Sequence, residues 1–409
     1  MDLGYVKTLR CRECGRELPP IMAYACDECF GPLDVLYDYD SIELERDSFK
    51  DRLETVWRYA ELLPVSDASK VIDLGAGYTP LRKCRRLAES LGLKNLYVKD
   101  DTVNPTGSFK DRPATVAVSK ALEFGAKAIG CVSTGNLAAA VAAHAAKAGL
   151  PCYIFIPTGI ELNKIVQATA YGATIISVKG TYDDANTLAA QVADAYGLAL
   201  ANINVRPYYV EGSKTLAFET CEQLNWEPPD RVIVPVGSGA LLCAIHKGFE
   251  ELRKLGLIED SRIRLTGAQP EGCSPVVAAF RSGTEDIAPV ESPRTIAKSL
   301  AIGEPGDGVY AVRRIRESGG IAESVSDKEI VEAISLLAKT EGIFSEPAGG
   351  VTVAALKKLI ESGEVYKDEV IVCYVTGNGL KTTEVLLEGI PKPIEVEPTL
   401  RSFAEALAL

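Results

Sequence analysis

From about residue 70 onward, short apolar runs alternate with longer helical stretches. The runs AIGCVS (128–133), PCYIFIP (151–157), ATIISVKG (173–180), LALANIN (198–204), RVIVPVG (231–237) and EVIVCYVTG (369–377) are apolar at most positions. That is the pattern of strands covered on both faces. Between them lie stretches such as NLAAAVAAHAAKAG (136–149), too long for a strand and rich in alanine. Strand, loop and helix in repetition predict an α/β fold with largely parallel, doubly wound sheets. In such sheets ligands sit beyond the carboxyl ends of the strands, so the loops after these runs are where chemistry is expected.

The first part of the chain breaks this pattern. In CRECGRELPPIMAYACDECFG (11–31), Cys11 and Cys14 pair with Cys26 and Cys29, and two CxxC knuckles across a short hairpin-like stretch have the ligand spacing of a zinc ribbon. Zinc prefers soft thiolate ligands in a tetrahedron, and so short a segment buries too little apolar surface to fold without metal. Four protein ligands leave no position open for water, so zinc here would be structural; four reduced thiols without metal are the alternative. The other seven cysteines, Cys84, Cys131, Cys152, Cys221, Cys243, Cys273 and Cys373, are scattered singly, as reduced core thiols are.

Composition narrows the chemistry further. A chain of 409 residues, 47% of them hydrophobic, has room for two or three full-sized cores. A net charge of −12 argues against a partner held mainly by phosphate neutralisation, so nucleic acid is not expected. No apolar run reaches the roughly 20 residues of a membrane span, and MDLGYVKTLRC lacks the apolar stretch of a signal peptide. The expected location is the cytoplasm. His144 and His246 are the only histidines, so proton transfers must fall to other groups.

Four loops then stand out. STGN (133–136) follows the first run, and Ser133 or Thr134 can cap the next helix while its first amides stay free for a carboxylate or phosphate; an N-cap without ligand is the plain alternative. GSGA (237–240) offers glycines that let backbone amides close around a phosphate at a helix N-terminus. It has neither the GxGxxG of a dinucleotide site nor the GxxxxGK[ST] of a nucleotide triphosphate loop, so one small phosphate is the expected guest. TGNGLKT (376–382) sets the Thr376 hydroxyl at a strand end, although turn chemistry alone also explains these residues. NPTGSFKDRP (104–113) places Lys110 behind an aromatic and small residues just where the strand LYVKD (96–100) should end. A lysine beside a closed phosphate site and out of bulk water has a depressed pKa and can form a Schiff base with a carbonyl cofactor. A ligand with one phosphate, one ring nitrogen and one aldehyde would meet three loops and the lysine, which describes pyridoxal phosphate.

The ribbon-like start together with GYTPL (77–81), NPTGSFKDR (104–112), STGN, EGSKT (211–215), PVGSG (235–239), EGIFSEPA (341–348) and TGNGLK (376–381) resembles the threonine synthase family. That family belongs to the fold-type II, tryptophan synthase β-like group of pyridoxal-phosphate enzymes, with cysteine synthases and threonine dehydratases. The resemblance implies two doubly wound α/β domains behind the ribbon: a ribbon-like segment at 1–38, a large cofactor domain at 39–100 and 206–409, and a small domain at 101–205. It implies that Lys110 carries the cofactor, Phe109 packs near its ring and Asn136 bonds the ring hydroxyl. Gly237, Ser238, Gly239, Ala240 and Leu241 would cradle the phosphate, and Thr376 would meet the ring nitrogen. Ser133, Thr134 and Gly135 would hold the substrate carboxylate. The reaction implied is conversion of O-phospho-L-homoserine and water to L-threonine and phosphate, with Lys110 as the acid-base group, in a homodimer.

Three positions depart from the family's pattern. Leu137 stands where a threonine is common, the loop Gly237–Leu241 replaces the usual GNAGN, and Tyr209 stands where an arginine usually precedes EGxKT. Arg206 could supply the missing cation, its planar fork suiting phosphate, with Asn204 and Tyr208 or Tyr209 adding donors. These departures keep open β-replacement or β-elimination on a related amino acid, as in cysteine synthases, cysteate synthases and dehydratases. A ribbon-bearing interaction protein on an inactive scaffold is the non-enzymatic alternative, opposed by the intact Lys110.

Overall fold

The computed structural model describes residues 3–161, 165–389 and 391–408, and its strands form three separate sheets. In the first, β1 (Val6–Cys11) runs antiparallel to both β2 (Glu17–Leu18) and β3 (Leu33–Tyr37). Along β3, Leu33, Val35 and Tyr37 are buried while Asp34 and Leu36 are half-buried, the two-residue period of a sheet with one covered face. The four ribbon cysteines lie at the end of β1 and in the loops that follow.

The remaining strands are β4 (Leu81–Lys83), β5 (Asn95–Asp100), β6 (Ile129–Val132), β7 (Cys152–Pro157), β8 (Thr174–Val178), β9 (Ala199–Leu200), β10 (Arg231–Pro235), β11 (Arg264–Pro270), β12 (Ile321–Val325) and β13 (Val370–Val375). Four form a parallel sheet of order β8-β7-β6-β9. Six form a sheet of order β12-β11-β10-β13-β5-β4, parallel except where β4 meets β5. Within β10, Val232 and Val234 enter one core with Leu242 and Ile245, whereas Ile233 enters a second core with Val351 and Leu356. Helices therefore cover both faces, which is why the strand is apolar throughout.

The structure corrects two expectations. LALANIN (198–204) reads as one strand in the sequence, but pairing stops at Leu200. The Asn202 side chain bonds the Val132 amide and carbonyl, each at 3.1 Å, and Asn204 bonds the Leu200 amide at 2.7 Å and the Leu198 carbonyl at 3.0 Å. These side-chain amides turn the chain where backbone pairing would have continued it. The helix Asn136–Ala148 is capped neither by Ser133 nor by Thr134: its N-cap is Gly135, with no side-chain bond.

Candidate active site

Lys110 precedes the helix Asp111–Glu123, and its turn is fixed from two directions. The Phe109 amide donates to the Thr376 carbonyl at 2.9 Å, the Asn378 amide donates to the Gly107 carbonyl at 2.9 Å, and Ser108 bridges Gly377. Gly107, at a φ of 78°, takes a left-handed conformation that only glycine adopts without strain. From within, the Asp111 carboxylate accepts the Thr106 amide at 2.8 Å and the Thr106 hydroxyl at 2.9 Å. Lys381 ties the same turn outward, donating to the Thr106 carbonyl at 2.8 Å and to Gln167 at 2.6 Å.

The Lys110 amine so presented donates to the Tyr209 hydroxyl at 3.0 Å and lies 4.5 Å from the Phe109 ring centroid. Burial pushes its pKa from 10.5 down to about 8, against the opposing pull of Cys131 and Glu346. Burial also raises the Tyr209 phenol, which stays protonated. From mildly alkaline pH upward the amine is mostly neutral, and beside a neutral phenol it can act as a nucleophile and proton carrier.

Beneath the turn lies a fully buried charge network. Arg112 bonds Asp101 at 2.7 and 2.8 Å, Glu219 at 2.8 Å, and the hydroxyls of Thr79 and Thr215, each at 2.9 Å. Lys99 meets Glu219 at 2.7 Å. Burial alone would raise the Glu219 pKa, but Arg112 and Lys99 hold it down at about 2. Two cations thus face two carboxylates, and Thr79 of GYTPL, Arg112 of NPTGSFKDR and Thr215 of EGSKT are joined in one network beneath Lys110.

Asn136 opens its helix with its side-chain amide donating to the Glu346 carboxylate at 2.9 and 3.1 Å. The Glu346 amide in turn donates to the Gly377 carbonyl at 2.9 Å. A Cβ on Gly377 would lie 2.3 Å from a Glu346 carboxylate oxygen, so that glycine makes room for the contact. Thr376 is buried at the end of β13. Ser133, Thr134 and Gly135 lie before the helix, the Ser133 hydroxyl accepting the Gly135 amide at 3.3 Å. With no side-chain cap, the helix presents its first amides to an anion.

The loop after β10 is shaped in the same way. Gly239 has a φ of 92°, and a Cβ there would stand 2.6 Å from the Asp307 carbonyl oxygen. The Asp307 amide donates to the Ser238 carbonyl at 2.8 Å, holding Gly237, Ser238 and Gly239 in a tight turn. Ala240 and Leu241 begin a helix, Ala240–Lys254, that also lacks a side-chain cap. A small cradle of amides at a helix N-terminus suits a single phosphate.

The structure brings Lys110, Phe109, Asn136, Thr376 and Tyr209 into one linked group. Arg206 and Tyr209 share the short helix Arg206–Tyr209, but Arg206 pairs with Asp307. Asn204 is not brought into this group, since both ends of its side chain bond backbone in the turn after β9. Two polar residues of the site are not singled out by the sequence. Glu346 lies within EGIFSEPA, a motif that marks the segment without marking the carboxylate, whereas Asp307 sits in a loop with no signal of its own.

In the ribbon, Cys11 and Cys29 Sγ lie 3.4 Å apart, Cys14 and Cys26 Sγ lie 3.7 Å apart, and all four fall within 4.8 Å of one another. A tetrahedron with Zn–S bonds of about 2.3 Å has S···S edges of about 3.8 Å, so the cluster can hold such an ion. The eleven cysteines are all free of disulfides. Among the described residues no helix is long and apolar enough to cross a membrane.

Comparison with known proteins fits this geometry. Residues 72–377 match the family model described as "Pyridoxal-phosphate dependent enzyme". The chain is 46% identical to a threonine synthase of Methanocaldococcus jannaschii, covering 95% of this chain and 96% of that one. It is 44% identical to a threonine synthase of Methanosarcina acetivorans, covering 98% of each. Its fold matches that of maize serine racemase with a TM-score of 0.64 at 24% identity, covering 76% of this chain and 91% of that one. It also matches threonine deaminase isoform 2 from Solanum lycopersicum with a TM-score of 0.63 at 24% identity, covering 75% and 86%. With the fold-type II architecture, a buried lysine between converging strand-end loops and near-full-length likeness to these relatives, the chain belongs to the threonine synthase family of pyridoxal-phosphate-dependent enzymes.

Proposed function

We propose that the protein converts O-phospho-L-homoserine and water to L-threonine and phosphate. What carries this reading is the extent of the likeness to the archaeal threonine synthases: it runs along nearly all of both chains rather than through the cofactor core alone. Lys110 would hold pyridoxal phosphate covalently, Asn136 would meet its ring hydroxyl, and Thr376 its ring nitrogen. The amides of Gly237, Ser238, Gly239, Ala240 and Leu241 would take its phosphate. When bound, that group supplies an electron sink for negative charge developing on the substrate carbons.

The chain's own residues supply the rest. The backbone amides around Ser133, Thr134 and Gly135 bind and orient the substrate carboxylate. Lys110, neutral above about pH 8, takes a proton from Cα and then one from Cβ as phosphate leaves Cγ. One proton is returned to Cγ, making the methyl group, water adds its hydroxyl at Cβ while its remaining proton goes to the released phosphate, and the second proton is returned to Cα. Tyr209, kept protonated by burial, accepts a hydrogen bond from that amine and steadies it between transfers. Arg206 is the cation proposed for the substrate phosphate, and its bond to Asp307 engages one of its two terminal nitrogens.

We further place the chain in the cytoplasm as a homodimer, in the proposed division of ribbon 1–38, large domain 39–100 and 206–409, and small domain 101–205. The disulfide-free cysteines support a reducing compartment, and the separation into three sheets supports the division. The deciding experiment incubates purified protein with O-phospho-L-homoserine and assays threonine and phosphate. Equimolar release of both is expected. Absence of threonine, with 2-oxobutyrate or pyruvate formed from threonine or serine instead, would establish the elimination alternative.

A further inference from the structure

We propose that the four-cysteine ribbon is a positioning element of the active site, acting through Arg12 on Asp307 and through Ile21 on the helix Arg206–Tyr209. The inference rests on the assignment of the Gly237–Leu241 loop to the cofactor phosphate. Arg12 lies inside the first CxxC knuckle, directly after Cys11. Its guanidinium bonds Asp34 of β3 at 2.8 and 2.6 Å, and its other terminal nitrogen reaches Asp307 at 2.7 Å. The Asp307 carboxylate therefore serves two cations, giving one oxygen to Arg12 and the other to Arg206.

Asp307 is only 1% exposed, and its main chain forms the outer wall of the phosphate loop. Its amide holds the Ser238 carbonyl at 2.8 Å, and its carbonyl lies where a side chain on Gly239 would have to go. Moving this carboxylate therefore moves the cradle. A buried carboxylate that loses one of two partners is poorly compensated and shifts to recover them, dragging its backbone along.

Two further contacts join the ribbon to the same region. The buried Tyr208 hydroxyl donates to the Ile21 carbonyl at 2.8 Å, and the next residue, Tyr209, receives the Lys110 hydrogen bond. Tyr37 of β3 donates to Glu211 at 2.8 Å, and Glu211 holds Lys214 of EGSKT at 2.6 Å. The helix Arg206–Tyr209 is thus gripped by the ribbon on one side while it touches Lys110 and Asp307 on the other. Four thiolates closed around a metal would fix the backbone of Arg12 and so the direction of its guanidinium.

The test uses full-length protein carrying Arg12→Met or Tyr208→Phe, each compared with wild type for zinc content, melting temperature, Kd for pyridoxal phosphate by visible-absorbance titration after cofactor stripping, and KM and kcat with O-phospho-L-homoserine. For Arg12→Met the expected result is retained zinc, with cofactor Kd and substrate KM raised on the order of tenfold, as when groups that orient ligand-holding residues are lost, and kcat changed far less. Tyr208→Phe should move Kd in the same direction by a smaller factor. A folded, zinc-loaded Arg12→Met protein with wild-type Kd and KM overturns the proposal, even if its melting temperature falls, because a purely structural ribbon predicts that pattern. If Arg12→Met does not fold, Tyr208→Phe decides by the same readout, and an unchanged Kd overturns the proposal. Wild-type protein that neither takes up the cofactor nor makes threonine would refute the functional reading instead.

Discussion

At the scale of single residues, the site depends on a lysine that burial keeps ready to react. Because the Lys110 pKa falls from 10.5 to about 8, the neutral amine dominates from mildly alkaline pH upward. The rate at which cofactor-free protein takes up pyridoxal phosphate, followed by stopped-flow absorbance, is expected to rise with pH up to about 8 and then flatten. A rate still climbing toward 10.5 would contradict the burial argument. Gly239→Ala forces a side chain into a left-handed backbone and against the Asp307 carbonyl. Strain of about 1–3 kcal/mol is expected, enough to weaken cofactor binding by roughly tenfold or more in an equilibrium titration. At this scale the sequence directs attention to Lys110, Phe109, Asn136, the glycine loop and Thr376 because they lie in the segments that follow strands, and the structure places them there. Asp307 was not legible, because its role comes from packing between Ser238, Arg206 and Arg12, which no local spacing records. Asn204 shows the converse, since in sequence an amide that closes a turn, as Asn204 does after β9, looks the same as one that meets a ligand.

At the scale of elements, the helix Asp111–Glu123 is the keystone, with Arg112 at its first turn buried against Asp101 and Glu219. Arg112→Met leaves both carboxylates under-compensated, and a loss of about 3–5 kcal/mol is expected in denaturant unfolding. The network also sets an acid limit. The folded pKa of Glu219 lies at about 2 against an ordinary 4.5. Its contribution is fully present above pH 4.5 and is lost as pH falls through 2. Each tenfold difference in proton affinity between the folded and unfolded chain corresponds to about 1.4 kcal/mol, so the loss is about 3 kcal/mol across that window. Glu219→Gln should flatten the stability profile between pH 4.5 and 2, and a profile as steep as wild type would remove Glu219 from the account. The strands that were readable, such as β10 and β13, are the ones apolar throughout. β11 was missed because its sequence, RLTGAQP, carries Thr266 and Gln269 into the core. There Gln269 spends its side chain on the Val276 and Val277 amides and the Val236 carbonyl, which only the folded sheet reveals.

At the scale of the whole molecule, the ribbon, the four-stranded sheet and the six-stranded sheet meet around one short helix and one lysine. Purified protein is expected to carry about one zinc per chain by elemental analysis, since four clustered thiolates satisfy one tetrahedral ion; its absence from protein prepared without chelators would leave the cluster as reduced thiols. The general architecture was readable from the alternation of apolar runs and helices, but the ribbon's attachment to the site was not, because Arg12 and Asp307 are 295 positions apart in the chain. The same long reach governs how the protein is made. The turn that presents Lys110 is pinned by TGNG near the far end of the sequence, with the Asn378 side chain bonding the Thr102 carbonyl across 276 positions. A ribosome must therefore release the chain as far as residue 378 before that turn can close. Until then the Thr102, Gly107 and Phe109 backbone groups lack the partners that fix them, and the segment before Lys110 must wait for a loop of 276 positions to close.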